Sequence, residues 1–385
     1  MEREEQISLL KSISREKGAD ILEEVSPDER ADLFAELPSR LVKKLFSIME
    51  KDEEEETKSL LLYPPNSAGG QMTTEFAAIS EETAVQEAIN MLRQKGKEIE
   101  MIYYLYITDK AQRLVGVVSL RELVLAQPFQ KMKEIMHAEP ISVPLELDQE
   151  EVAKEIARYD LIALPVLDKE RRIKGIITVD DVIDVIKEEN TEDMYKFGAA
   201  GEPENYLDQR PVRTARHRLI WLIILALMSF FSGAIISGYS DSLSKIIPLV
   251  FFIPLLMNVA GSAGTQSATV VVRGLATGEV KLRNVWRVIK KEFLVGIIMG
   301  TVLSLIGLFR ALFQQKMLLL GCAVGLSMIV TVTFATTLGS TLPILFKKMK
   351  LDPAVISGPL ITTILDISTL LIYFEISRHF LSALL

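Results

Sequence analysis

The chain carries one cysteine, three histidines and two tryptophans in 385 residues. A lone Cys322 inside an apolar run excludes both a disulfide and a thiolate metal site. His137, His217 and His379 are scattered, no nucleophile stands beside a candidate base, and no glycine-rich phosphate loop is present, so the chain is not expected to be an enzyme. The opening residues, MEREEQISLLKSISREKGAD, are charged and lack an apolar core. They do not read as a secretory signal, and the acidic half is expected to stay in the cytoplasm. That half shows no basic face, which argues against a nucleic-acid partner.

Charge is divided unevenly. Residues 1–210 hold 27 Lys+Arg against 45 Asp+Glu, a net of −18, while the remainder holds 16 against 6, a net of +10. The basic half contains five charge-free runs: Leu219–Tyr239, Ile246–Val272, Phe293–Phe309, Met317–Phe346 and one starting near Ala354. Lengths near 20 residues suit helices that cross about 30 Å of hydrocarbon. Arg213, Arg216, Arg218, Arg273, Lys281, Arg283, Arg287, Lys290, Lys291, Lys347, Lys348 and Lys350 fall on one side of these spans. Lys245, Arg310, Lys316 and Arg378 fall on the other. The asymmetry predicts a cytoplasmic N-terminus and an external C-terminus in the cell membrane.

Two features break the apolar rule. Asp366 stands twelve residues past Ala354, about 18 Å along a helix and near the bilayer midplane. It would make a structural hydrogen bond to a neighbouring helix or line a cation pathway. No Lys, Arg or His in the middle of another run pairs with it, which favours the pathway. The stretch PLLMNVAGSAGTQSATVVVRGLATGE places Asn258, Ser262 and Gln266 at i, i+4 and i+8 on one helix face, with Thr265 beside them. Small residues let helices approach, and hydroxyls and amides bond across helices or line water. A packed interface and a pore lining are therefore the two readings, and three polar residues on one face favour the pore.

The acidic half repeats itself. LVGVVSLRELVLA (114–126) matches IKGIITVDDVIDV (173–185), aligning Gly116 with Gly175, Ser119 with Thr178 and Glu122 with Asp181; Gln71-Met72-Thr73 matches Ile135-Met136-His137. Each copy reads as strand, helix, strand, strand, helix, with Asp109 and Asp168 at hairpin turns. The pair resembles tandem CBS domains. That resemblance implies that Ser119, Glu122, Thr178 and Asp181 hold a nucleotide ribose, with Arg121 and Tyr104 as phosphate and base contacts and ATP as a regulatory ligand. Ahead of it lie short amphipathic helices broken at Pro38 and Pro64-Pro65, with a capping box expected from Ser26 to Glu29. The run Asp52–Glu56 is a cation patch or a solvated helix start, the latter preferred.

Taken together, the polar stretch, DPAVISGPLITTILD, the CBS pair and NSAGGQMTTEF resemble the MgtE family of magnesium channels over nearly the whole chain. The resemblance implies a multi-domain membrane homodimer. Its parts would be a shortened acidic α-helical N-terminal domain (1–67), α/β tandem CBS domains (68–190), a connecting plug-helix region (191–217) and a five-helix transmembrane channel (218–385). It further implies Mg²⁺ uptake through a pore on the dimer axis that intracellular Mg²⁺ closes. Asp366 matches the selectivity carboxylate, Thr362 a position offering a carbonyl, and Asp352 an acid at the cytoplasmic mouth. Asp352-Pro353 also fits an N-cap and first position for the fifth helix. Regulatory acids fall at Asp28, Asp32, Asp148, Glu150, Asp160, Asp181, Asp184, Glu189, Glu192 and Asp193. Where many relatives have Gly-Gly-Asn, this chain has Ala260-Gly261-Ser262, with Asn258 one turn earlier on the same face. The competing functions are a secondary transporter exchanging Mg²⁺ or another divalent cation, and a membrane-tethered nucleotide sensor.

Overall fold

Three short helices begin the described part of the chain: α1 (Pro27–Glu36), α2 (Ser39–Phe46) and α3 (Lys51–Leu60). The computed structural model describes residues 17–18, 21–22, 24–96, 99–201, 210–356 and 358–381; the N-terminal residues before these and 202–209 of the plug-helix region lie outside them. The chain divides into two units, Met1–Glu189 and Asn190–Leu385. In the first, Leu33, Phe34, Leu37 and Leu45 close a small core around α1 and α2. Extended backbone at Leu37 and Pro38 separates the two helices. The expected capping box does not form. Ser26 is the N-cap of α1 but makes no side-chain cap bond, because its hydroxyl bonds the Asp28 carboxylate instead. The acids at 52–54 open α3, as a helix start should.

Both copies of the repeat adopt the expected order. The first is β1 (Phe76–Ser80), α4 (Val85–Lys95), β2 (Met101–Thr108), β3 (Leu114–Ser119) and α5 (Leu120–Leu125). A short α6 (Met132–Ile135) and β4 (His137–Ala138) follow, and β4 pairs antiparallel with β3. The second copy is β5 (Val143–Pro144), α7 (Gln149–Tyr159), β6 (Ala163–Leu167), β7 (Ile173–Thr178) and α8 (Val179–Phe197). Asp109 accepts from the backbone of Ala111 and Arg113, and Asp168 from that of Glu170 and Arg172, so both hairpins close on the same carboxylate device. The leading segments cross over between copies. A Cβ on Gly116 would lie 2.5 Å from Met136 Sδ, and one on Gly175 would lie 2.8 Å from Met72 Sδ. Each copy thus seats its methionine in the other copy's glycine notch.

The second unit holds the apolar helices. Among the described residues, five segments are long and apolar enough to cross a membrane. They contain α9 (Pro211–Gly238), α11 (Ile253–Ala276), α12 (Val285–Gln315), α13 (Leu318–Lys348) and α14 (Gly358–Phe380), with a short α10 (Ser240–Lys245) after the first. A buried small-residue stripe on α12, with Gly296, Gly300, Ser304, Gly307 and Ala311, seats that helix against α13. Gly264 of α11 fits between Leu365 of α14 and the Ala335 carbonyl of α13, where a side chain would collide. The fifth span starts later than expected. Asp352 caps a separate turn, Pro353–Val355, and the helix begins at Gly358. Pro359 stands at the second helical position, in the first turn, where a proline's missing N–H removes no intrahelical bond. Asp366 therefore lies about 12 Å into α14 instead of about 18 Å.

Candidate functional site

Polar groups on α11 and α14 converge on a cavity of about 710 Å³. Asn258, Gly261, Ser262, Thr265, Gln266 and Thr269 line it from α11, and Thr362 and Asp366 from α14. The sequence explains this division of α11. Ala260, Gly261, Ala263, Gly264, Ser267 and Ala268 are buried, and this face lets the neighbouring helices come close, while Asn258, Ser262, Gln266 and Thr269 remain exposed on the other face. Thr265 and Thr362 donate their hydroxyls to carbonyls of their own helices, Gly261 O and Pro359 O, each at 2.9 Å. Among the described residues, Asn258, Ser262, Gln266 and Asp366 make no side-chain hydrogen bond, leaving amide, hydroxyl and carboxylate oxygens to face the cavity. The structure brings all four expected pore-lining residues together with Thr362 and Asp366.

Asp352 serves in two ways at once. One oxygen accepts from Ala354 N at 2.8 Å, and the other accepts from Lys196 Nζ of α8 at 2.7 Å. Lys196 also pairs with Glu192 at 2.5 Å. Burial alone would lower the lysine, but the hydrogen bonds it donates to both carboxylates hold its ammonium well above the usual range. Asp193 is half-buried on the same helix. Sequence reasoning missed Lys196, because the partner lies far away in the chain. It also missed Glu292, just outside the third charge-free run, whose carboxylate accepts from the buried Ser267 hydroxyl and whose carbonyl accepts from Thr336 Oγ1 at 2.9 Å.

In the acidic unit, Asp28, Asp32, Asp181 and Asp184 line one cavity of about 500 Å³ together with Glu29, Glu36 and Glu188. Asp28 is 7% exposed and its Oδ1 has no partner among the described residues. Burial pushes Asp28 up, and it pushes Asp181 up to about 6, with the Asp28 charge adding to the shift at Asp181. The other expected acids lie apart from this cavity. Asp148 caps α7, Glu150 pairs with Lys154, Asp160 ends α7 in the left-handed region and Glu189 accepts from Gln149 at 2.6 Å. Among the described residues, no three His, Cys, Asp or Glu side chains form a ready metal centre.

The repeat motifs gather differently in the two copies. Tyr104 and Ser119 are cross-strand partners, and Ser119 and Glu122 form the capping box that starts α5, beside Arg121. Glu122 is held on both sides: Oε2 accepts from Ser119 Oγ at 2.7 Å, and Oε1 meets His137 Nε2 at 2.5 Å. Hydroxyl and imidazole both bond the carboxylate and not each other, so this is not a nucleophile-base pair. Thr178 bonds Asp181, whose carboxylate faces the acidic cavity.

A five-span membrane unit with a carboxylate set among amides and hydroxyls defines a protein that moves cations. The comparisons agree. The model of the divalent cation transporter family MgtE matches residues 253–376, that of the MgtE intracellular N domain 1–66, and that of the CBS domain 70–128 and 132–188. The magnesium transporter MgtE of Thermus thermophilus is 40% identical over 319 residues, covering 83% of this chain and 71% of the relative. That of Bacillus subtilis is 38% identical over 384 residues, 100% of this chain and 85% of the relative. A crystal structure of the cytosolic domain of the Mg²⁺ channel MgtE in complex with ATP is 40% identical, covers 48% of this chain and 76% of that one, and has a TM-score of 0.47. The chain belongs to the MgtE family of divalent cation transporters, and it is a multi-pass membrane protein.

Proposed function

We propose that this protein is a Mg²⁺-selective channel for uptake across the cell membrane, working as a homodimer that intracellular Mg²⁺ closes. The observation that carries this reading is the cavity in which Asp366 faces Asn258, Ser262, Thr265 and Gln266. Mg²⁺ releases water reluctantly and keeps an octahedral shell, so amides and hydroxyls suit the hydrated ion and few carboxylates are needed. Thr362 lies one turn before Asp366 and would add its carbonyl. A second copy facing the exposed stripe of α11 would enclose the path and bring a second Asp366. The basic ends of the spans support a cytoplasmic N-terminus. The working domain limits are 1–67, 68–190, 191–217 and 218–385.

For gating, the acids at Asp28, Asp32, Asp181 and Asp184 take up the cytoplasmic ion, and Asp148, Glu150, Asp160, Glu189, Glu192 and Asp193 add to a field that divalent cations neutralise. Ions that bind only the compact state stabilise it by mass action. The residues of the first CBS copy suit a regulatory adenine nucleotide: an acid and a hydroxyl for the ribose, Arg121 for phosphate and Tyr104 for the base. ATP bound there would supply charge and a rigid ring to the cleft, provided that His137 releases Glu122.

Asp366→Asn is the test of the pore. In liposomes with a dye for internal Mg²⁺, the parent takes up the ion and Asp366→Asn does not, although both insert. Single-channel currents separate the channel from an exchanger, which would give none. Uptake by Asp366→Asn equal to that of the parent overturns the assignment.

A further inference from the structure

The third span has two opposite faces. Its inner face is the small-residue stripe that packs on α13, extended by Val285 and Val288 against Ile344 and by Glu292 toward Ser267. Its outer face carries Leu294, Ile298, Val302, Leu305 and Phe309, each about half exposed or more. Followed toward the start of α12, that outer face changes character within one turn. Lys290, Lys291, Arg287, Trp286 and Arg283 come next, all exposed, with Trp286 83% exposed. Lys290 precedes Leu294 by one turn and Arg287 precedes Lys290 by another, so cations and apolar residues form one continuous line on α12, with Arg283 in the 3-10 turn just ahead of it.

Among the described residues nothing balances this line. Like charges four residues apart on a helix repel each other. Among the described residues none of Arg283, Arg287, Lys290 and Lys291 has an acidic partner. The one acid inside the segment, Glu292, is turned inward and takes the Ser267 hydroxyl. The charge-free run from Phe293 to Phe309 covers about 24 Å, most of the thickness of a hydrocarbon core, which sets Lys290 near its edge. Trp286 is then at headgroup level, where its amphipathic ring is favoured.

We propose that Arg283, Trp286, Arg287, Lys290 and Lys291 bind the headgroup of an acidic phospholipid whose acyl chains lie along Leu294 and Ile298. The phosphodiester accepts from the guanidinium of Arg287 and the ammonium of Lys290, and the net negative charge of the lipid satisfies the remaining cations. A zwitterionic lipid brings its own ammonium and cannot do so. A free phosphate offers the same oxygens but has no acyl chain for the apolar line.

The probes are phosphatidylglycerol, phosphatidylcholine with the same acyl chains, and inorganic phosphate, each added to the full-length protein in detergent. Native mass spectrometry should show phosphatidylglycerol retained roughly tenfold more than phosphatidylcholine, in keeping with several juxtamembrane cations acting together. The combined variant R283Q/R287Q/K290Q should lose that preference. Because this variant removes charges that help set topology, a second measurement uses the native residues. Trp221 and Trp286 are the two tryptophans, so Trp221→Phe leaves Trp286 as the sole reporter. Brominated phosphatidylglycerol should quench it more strongly than brominated phosphatidylcholine in mixed vesicles. Equal retention and equal quenching by the two lipids would reduce the basic stripe to a topology signal. Competition by inorganic phosphate at matched concentration would make it a plain anion site. Either outcome overturns the proposal.

Discussion

Lys196 Nζ lies 2.7 Å from Asp352 Oδ2, joining the end of α8 to the turn that precedes the last membrane span. The two residues are 156 positions apart in the chain. Both are about one-third exposed, so the pair is worth up to about 1 kcal/mol. The ammonium joins these two segments without a divalent cation, so it adds to whatever Mg²⁺ contributes to the same arrangement.

Replacing that ammonium tests its role. Lys196→Met leaves Asp352 and Glu192 without their cation and removes the tether. The expected result is a channel needing roughly fivefold more internal Mg²⁺ for half-closure, the factor that about 1 kcal/mol gives. Flux into liposomes loaded with graded Mg²⁺ measures it. An unchanged half-closure concentration would show that the contact is incidental to gating.

Gly264→Ala tests the packing behind the Asp366 cavity. The added methyl collides with Leu365, the residue before Asp366, and with the Ala335 carbonyl. Overpacking of this kind costs about 1–3 kcal/mol. The variant should melt lower in detergent and lose most of its Mg²⁺ uptake, because α14 must shift. Parental uptake with parental stability would mean that the helix contact is slack.

The acidic cavity should respond to protons. Asp181 sits at about 6 in the folded protein, raised by burial and by Asp28, against about 3.9 in an unfolded chain. The folded state therefore binds more protons between these values, so this contribution to stability falls as pH rises through that window and returns on acidification. Without divalent ions, the melting of the acidic half should move up as pH falls from about 7 to about 5. Mg²⁺ should flatten the trend, since the cation relieves the same repulsion. Calorimetry of the full chain in chelator and in Mg²⁺ reads both, and a melting point that drops on acidification in chelator contradicts the account.

His137 should compete with nucleotide for Glu122. Its Nε2 holds one carboxylate oxygen at 2.5 Å, so His137→Ala should bind ATP several-fold more tightly than the parent, as truncation frees a charged acceptor. Titration calorimetry on the full chain distinguishes the cases. Equal affinity in both forms removes His137 from the account, and no heat in either removes the nucleotide.

Periodicity and motif spacing made much of this protein legible. The five spans, the order of both repeat copies and the stripe of Asn258, Ser262 and Gln266 all follow from local patterns of two or 3.6 residues. Charge spacing alone did not reveal partners. Lys196 with Asp352, His137 with Glu122 and Glu292 with Ser267 are long-range choices made by packing, and each involves a residue that looked ordinary in the chain. Local rules also failed where a competing bond won. Ser26 gave its hydroxyl to Asp28 instead of the helix backbone, and Asp352 capped a separate turn, Pro353–Val355, ahead of the last span. The acids expected to regulate the protein spread over several surfaces because α7 uses Asp148 as a cap and Asp160 as its terminus.

The exchange of Met72 and Met136 between the two repeat copies bears on how such a domain arises and folds. A single copy on its own has an empty notch at its glycine and a methionine with nowhere to go. It completes itself only with a second molecule, as a swapped dimer does. Joining two copies head to tail makes that bimolecular closure internal, at an effective concentration on the order of millimolar. Neither half is then an independent foldon, and a cut in the linker near Gln130 returns the pair to a concentration-dependent association.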